Sequence, residues 1–93
     1  MVEIIWSKSS VNDLKNLYRY ISKDSALYAK RFVDLLISRV DQLKDFPESG
    51  RVVPEKNNPK IRELIEGNYR IFYQRSSKRI IILRIHNSSK NIH

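Results

Sequence analysis

Cysteine is absent from this 93-residue chain, and histidine occurs only twice. The first absence excludes disulfides, zinc–thiolate sites and cysteine nucleophiles, and it fits a reducing cytoplasm. The second leaves too few imidazoles to suggest a metal site, and no cofactor is expected. Long apolar runs are also missing: none approaches the roughly 20 residues needed to span a bilayer. The opening Met1-Val2-Glu3-Ile4-Ile5-Trp6 has no basic stretch followed by a long apolar one. No signal peptide and no membrane partner are therefore expected, and the expected location is cytoplasmic. Acidic residues are scarce. Ten Asp and Glu against 18 Lys and Arg give a formal charge of +8 and a pI near 10.0. A domain this basic usually meets something acidic, such as nucleic acid, a ribosome or an acidic protein.

What is present reads as one globular domain over residues 1–93, with 41% hydrophobic content and no repeat, linker or low-complexity run. Val2 to Trp6 is β-prone, with Val2, Ile4 and Trp6 on one face. Ser7, Ser9 and Ser10 offer helix caps, and Ser10 with Asp13 has capping-box spacing. Val11, Leu14, Leu17, Tyr18 and Ile21 recur at helical period. Ser22-Lys23-Asp24-Ser25 breaks the pattern, and Ala26 to Leu43 carries a second, longer amphipathic helix that Asp45, Phe46 and Pro47 end. So short a link predicts an antiparallel helix hairpin. Residues 48–60 read as a loop. Three strands follow: Ile61 to Glu66, Tyr69 to Gln74, and Arg79 to His86. Gly67-Asn68 suits a two-residue hairpin turn between the first two. The tail 87–93 is expected to fray or to pair back on the sheet. The fold class is α+β, in the order β-α-α-β-β-β, with the helix hairpin on one face of a small, mainly antiparallel sheet.

Charged residues inside these apolar strands need a reason, because an unpartnered buried charge is expensive. The hairpin register puts Leu64, Tyr69, Ile71 and Tyr73 on one face. Ile61, Glu63, Ile65, Arg70, Phe72 and Gln74 take the other. On the last strand, Ile81, Leu83 and Ile85 share one face, and Ile80, Ile82, Arg84 and His86 the other. An odd connection at Ser76-Ser77-Lys78 sets Arg70 opposite Arg84. Glu63, Arg70, Arg84 and His86 then gather over a floor of Phe72 and Ile82. An even one removes Arg70 from the group.

Two guanidiniums on an open sheet face suit a phosphate or carboxylate. His86 could serve as general acid or base near neutral pH, and Glu63 or Glu55 as a carboxylate base. Together they could cleave RNA without a metal, a base activating the ribose 2′-OH while arginines stabilise the phosphate charge. The plainer reading pairs Arg70 and Arg84 with Glu63 or with acidic helix residues. The five tyrosines read mostly as core or core edge. Lys8, Lys15, Arg19 and Lys23 read first as a solvated helix face.

The order and spacing of several pieces carry a resemblance over about residues 4–90. They are Trp6-Ser7 leading into Asp13-Leu14, Tyr20-Ile21 with Asp24-Ser25, and Ala29 and Phe32. Phe46-Pro47-Glu48-Ser49-Gly50-Arg51, Arg62-Glu63-Leu64, Tyr69-Arg70-Ile71-Phe72-Tyr73 and Ile82-Leu83-Arg84-Ile85-His86 complete them. The chain resembles the RelE/ParE superfamily of toxins from type II toxin–antitoxin systems, which act in growth inhibition and plasmid stabilization. The resemblance implies a cognate antitoxin whose C-terminal segment wraps and blocks the toxin. It implies one of two targets: DNA gyrase in the ParE-like branch, or ribosome-bound mRNA in the RelE- and YoeB-like branch. Arg70 matches the arginine of the mRNA-cutting branch, and His86 matches the YoeB-like histidine. Asn87 stands where a catalytic tyrosine follows that histidine, and the YoeB-like glutamate has its counterpart at Glu55. The Phe-Pro-x-x-Gly-Arg run and the Asp-Ser break look ParE-like. The expected function is thus a ParE-like gyrase toxin. The alternative is a metal-independent, ribosome-dependent endoribonuclease using Arg70, Arg84, His86 and Glu63, and a weaker one is a non-toxic binding module. Arg51, Arg62 and Lys90 are the expected target contacts.

Overall fold

A computed structural model describes residues 2–88. Strand β1 (Glu3–Trp6) leads into helices α1 (Lys8–Ser22) and α2 (Ala26–Asp41). A 3-10 turn (Gln42–Lys44) then precedes β2 (Arg51–Val52), β3 (Ile61–Glu66), β4 (Tyr69–Arg75) and β5 (Arg79–Asn87). The sheet order is β1-β5-β4-β3-β2, antiparallel except for the parallel β1–β5 pair. The architecture is the expected α+β layer, with one more strand than predicted: the short β2 lies inside the stretch 48–60 read as loop.

Each helix starts on a serine whose side chain accepts an otherwise unpaired amide. Ser7 Oγ takes Ser10 N–H at 3.0 Å, and Ser25 Oγ takes Tyr28 N–H at 3.0 Å. Ser10 is therefore inside α1 rather than its cap; its hydroxyl returns to the Ser7 carbonyl at 2.8 Å. Helix α2 ends at Asp41, and the last turn of the predicted helix tightens to 3-10 geometry.

The β3–β4 hairpin has the predicted register, Glu66 opposite Tyr69 and Leu64 opposite Ile71. Gly67 turns it with φ +58°, a conformation that L side chains rarely adopt. Leu64, Ile71 and Tyr73 pack with Leu17, Leu36, Val40 and Leu43 in one core between helices and sheet. The helix tyrosines depart from the core reading: Tyr18, Tyr20 and Tyr28 stay exposed.

Register on β5 differs from both alternatives. A β-bulge between Phe72 and Tyr73 of β4 and the facing Ile82 and Arg84 inserts Leu83 as an extra residue. Tyr73 opposes Ile82, yet Phe72 opposes Arg84 and Arg70 opposes His86. A one-residue slip exchanges the faces of a strand. Ile80 and Ile82 consequently enter the core with Ile85, while Arg84 and His86 join Arg70 and Phe72 on the open face. Ile82 is not the floor of the site, and Arg70 faces His86 rather than Arg84.

Candidate functional site: an ion-paired open sheet face

Glu63 is the centre of the open face. Its neighbours are Arg51 directly across β2–β3 and Arg70 diagonally across β3–β4. Both guanidiniums donate through Nε to its carboxylate, at 2.5 Å each. The Glu63 side chain is fully buried, so these donors are what let it keep its charge away from water. Arg70 has a second carboxylate. Its Nη1 and Nη2 both reach Glu55 at 2.9 Å, a two-pronged pair. Its guanidinium also lies over the Phe72 ring, 4.9 Å from the centroid. The hydrogen bonds from Arg70, with further help from the Glu55 backbone amide and from the charges of Arg70 and Arg51, pull the Glu55 carboxyl down to about 2. Glu55, then Glu63, push Arg70 further into its charged form.

Arg84 does not join this cluster. Its Nε and Nη2 donate to Asp13 of α1 at 2.8 and 3.0 Å. The bulge explains why. A bulge disturbs the ladder around it and leaves backbone groups to be satisfied elsewhere. Ile85 N–H donates to Asp13 at 2.9 Å, and the Leu83 carbonyl accepts from Ser7 Oγ at 3.1 Å. Helix α1 and its capping serine thus supply the two groups that hold the bulge. The pairing of Arg84 with an acidic helix residue is the plainer of the two sequence readings, but Asp13 serves here as that partner and not as the capping-box mate of Ser10. The available signal was its place as the only acidic residue of α1, on the side that carries Leu14 and Leu17.

The ParE-like run Phe46-Pro47-Glu48-Ser49-Gly50-Arg51 has a structural explanation as well. Tyr73 Oη, fully buried, accepts Gly50 N–H and donates to the Pro47 carbonyl, both at 3.0 Å. A Cβ on Gly50 would stand 2.6 Å from that hydroxyl and from the Glu63 carbonyl oxygen. Arg62 lies in the row of Tyr73 rather than of Arg70, and donates to the Gly50 carbonyl at 2.8 Å. Arg51 and Arg62 therefore hold the loop to the sheet. Lys90 lies outside the described residues. Beside Arg70 the open face hollows into a groove of about 500 Å³ with Lys56, Ile61, Phe72, Leu83 and exposed His86 on its walls. The structure thus groups Arg70, Glu63 and Arg51 with Glu55, sets His86 opposite Arg70, and ties Arg84 to the helix. No cluster of three or more potential metal ligands occurs among the described residues, and no helix among them is long and apolar enough to cross a membrane.

The family model of the ParE toxin of type II toxin–antitoxin systems matches residues 4–92. The chain belongs to the ParE toxin family. Among solved structures, this ParE-family chain is similar to one of a chromosomal ParDE system from P. aeruginosa. That match has a TM-score of 0.76 and 24% identity, covering 94% of this chain and 96% of the other. It is also similar to a chain of the RelBE2 toxin–antitoxin complex from Mycobacterium tuberculosis, with a TM-score of 0.67 and 14% identity, covering 92% and 96%. At such identities these two likenesses speak for the fold. No curated protein matches the chain. The RelE/ParE membership expected from the sequence is therefore a finding, as is the toxin class of a type II toxin–antitoxin system.

Proposed function

We propose that this ParE-family toxin inhibits DNA gyrase by binding it, and that a cognate antitoxin neutralises it. The observation that carries the gyrase reading is the state of the arginines. Arg70 holds Glu63 and Glu55, and Arg84 holds Asp13. Transition-state stabilisation in RNA cleavage calls for donors aimed at the phosphate in advance, whereas these guanidiniums are already matched to carboxylates. Asn87 in place of a tyrosine after His86 supports the same reading, as does the loop motif anchored on Tyr73. The antitoxin reading is supported by apolar side chains left exposed on α2, Leu27, Tyr28 and Leu35. The ParDE and RelBE2 structures are of toxin–antitoxin systems.

The test is a supercoiling assay with purified gyrase and toxin, with and without antitoxin. Lost supercoiling or trapped cleaved DNA, relieved by the antitoxin, is the expected result. Untouched supercoiling with no trapped DNA overturns the gyrase reading. The second reading, ribosome-dependent mRNA cleavage, is favoured by the Arg70–His86 pairing across β4 and β5 on the open face. Primer extension on mRNA translated with added toxin tests it. Cuts seen only with ribosomes, and lost in Arg70→Ala and His86→Ala, would establish it.

A further inference from the structure

Arg70 holds its two carboxylates in different ways. Glu63 grips Nε from a fully buried position, while Glu55, with a side chain 60% exposed, takes the outward fork of Nη1 and Nη2. Glu63 thus orients the guanidinium, and Glu55 fills the edge that faces solvent. Glu55 belongs to a strap, residues 54–60, in which every residue is exposed. The strap leaves the sheet at buried Val53 and returns at Ile61. Val53 N–H donates to the Ile61 carbonyl at 3.3 Å, and Ile61 N–H to the Asn58 carbonyl at 3.1 Å. Lys56, the next residue, walls the groove on the open face.

We propose that Glu55 is a displaceable internal counter-ion: the strap latches the outward fork of Arg70 until a phosphate group takes its place. Three observations carry this. The two-pronged geometry that Glu55 adopts is also the one in which a guanidinium binds phosphate. Arg51, Glu63, Arg70 and Glu55 sum to zero charge, so an oxyanion that takes the Arg70 fork in place of Glu55, the more exposed carboxylate, exchanges one negative group for another. Phosphate rather than a peptide carboxylate is the matching ligand. The fork opens beside His86 and Lys56 and an aromatic floor at Phe72, on a chain of charge +8, a setting that suits a nucleotide. Only the Glu55 half of the pair stands open to solvent, so a competitor reaches the fork from that side without disturbing buried Glu63. The inference is independent of the gyrase reading, since gyrase-bound DNA and the ribosome both present phosphates.

The test is an NMR titration of the full chain at low salt with inorganic phosphate and, in a second arm, with 5′-phosphorylated dithymidine. The Arg70 guanidinium and the Glu55 carboxyl carbon are followed together. Phosphate should move both signals, and Glu55→Gln should bind at least about two- to fivefold tighter, the factor expected when a competing surface carboxylate is removed. Arg70→Lys, which keeps a charge beside Glu63, should lose the site. Tighter binding of the dinucleotide than of the ion identifies a nucleic-acid source, and equal binding a free phosphate. An unmoved Glu55 signal, or unchanged affinity in Glu55→Gln, overturns the latch. Shifts spread over the basic surface that survive in Arg70→Lys also overturn it, as adventitious ion binding only.

Discussion

Two side chains concentrate the energetics of the loop. The Tyr73 hydroxyl satisfies Gly50 N–H and the Pro47 carbonyl inside the core. Tyr73→Phe leaves both groups without that partner and should cost about 1–3 kcal/mol in urea denaturation. Gly50→Ala forces a methyl within 2.6 Å of two oxygens, and overpacking of this kind costs about 1–3 kcal/mol. A melt unchanged from that of the natural chain in both variants would mean the loop is not anchored there. Glu55 gives a pH signature. Its carboxyl lies at about 2 in the folded chain, chiefly through Arg70, against about 4.3 in an unfolded one. The folded state therefore holds the proton less tightly. The contribution is complete above about pH 4.3 and is lost as pH falls toward 2. A carboxyl titration should give the low value, and Arg70→Lys should raise it toward the ordinary one. An ordinary value in the natural chain would mean that the two-pronged pair does not form in solution.

At the scale of elements, the bulge in β5 decides what the open face contains. Without Leu83 as an extra residue, Arg84 and His86 would fall in the row of Tyr69 and Ile71, facing the helices. Asp13 holds that bulge, and it is itself mostly buried. Asp13→Ala should destabilise the fold by about 1–3 kcal/mol and speed exchange of the Ile85 amide, with Asp13→Asn milder because it can still accept that N–H. Unaltered Ile85 exchange would show that the bulge stands without α1. The bulge also marks the limit of the sequence. Helix periodicity, the serine-capped starts and the Gly67-Asn68 turn are local signals, and they placed α1, α2 and the β3–β4 hairpin within a few residues. A bulge depends on what a distant element offers to the freed backbone, here Ser7 and Asp13, roughly seventy residues away in the chain. Strand β2 escaped for a related reason: it is two residues long and exists only as a partner of β3. The alternation that gathered Glu63 with Arg70 was legible. That Glu63 would be buried between two arginines was not, because burial there depends on how the 48–60 segment lies over the sheet.

For the whole molecule, the charge of +8 predicts a salt-sensitive encounter with any target that presents phosphates. Binding to such a target should weaken steadily as salt rises from about 50 to 200 mM, with a linear slope of log affinity against log salt. A flat slope would point to an apolar protein contact instead. The sheet order bears on something else, the time at which this fold comes into being. Among the described residues β1 is the first strand in the chain, and its partner in the sheet is β5, which comes after all the others. Contacts this far apart in sequence are slow to form, because the intervening chain must be closed before they repay it. During synthesis β1 has no neighbour until residues 79–82 have emerged. The same residues lead into the bulge that sets Arg84 and His86 on the open face. A growing or prematurely ended chain therefore lacks the finished open face, so the surface that carries Arg70, Arg84 and His86 together comes into being only once β5 has paired on both sides.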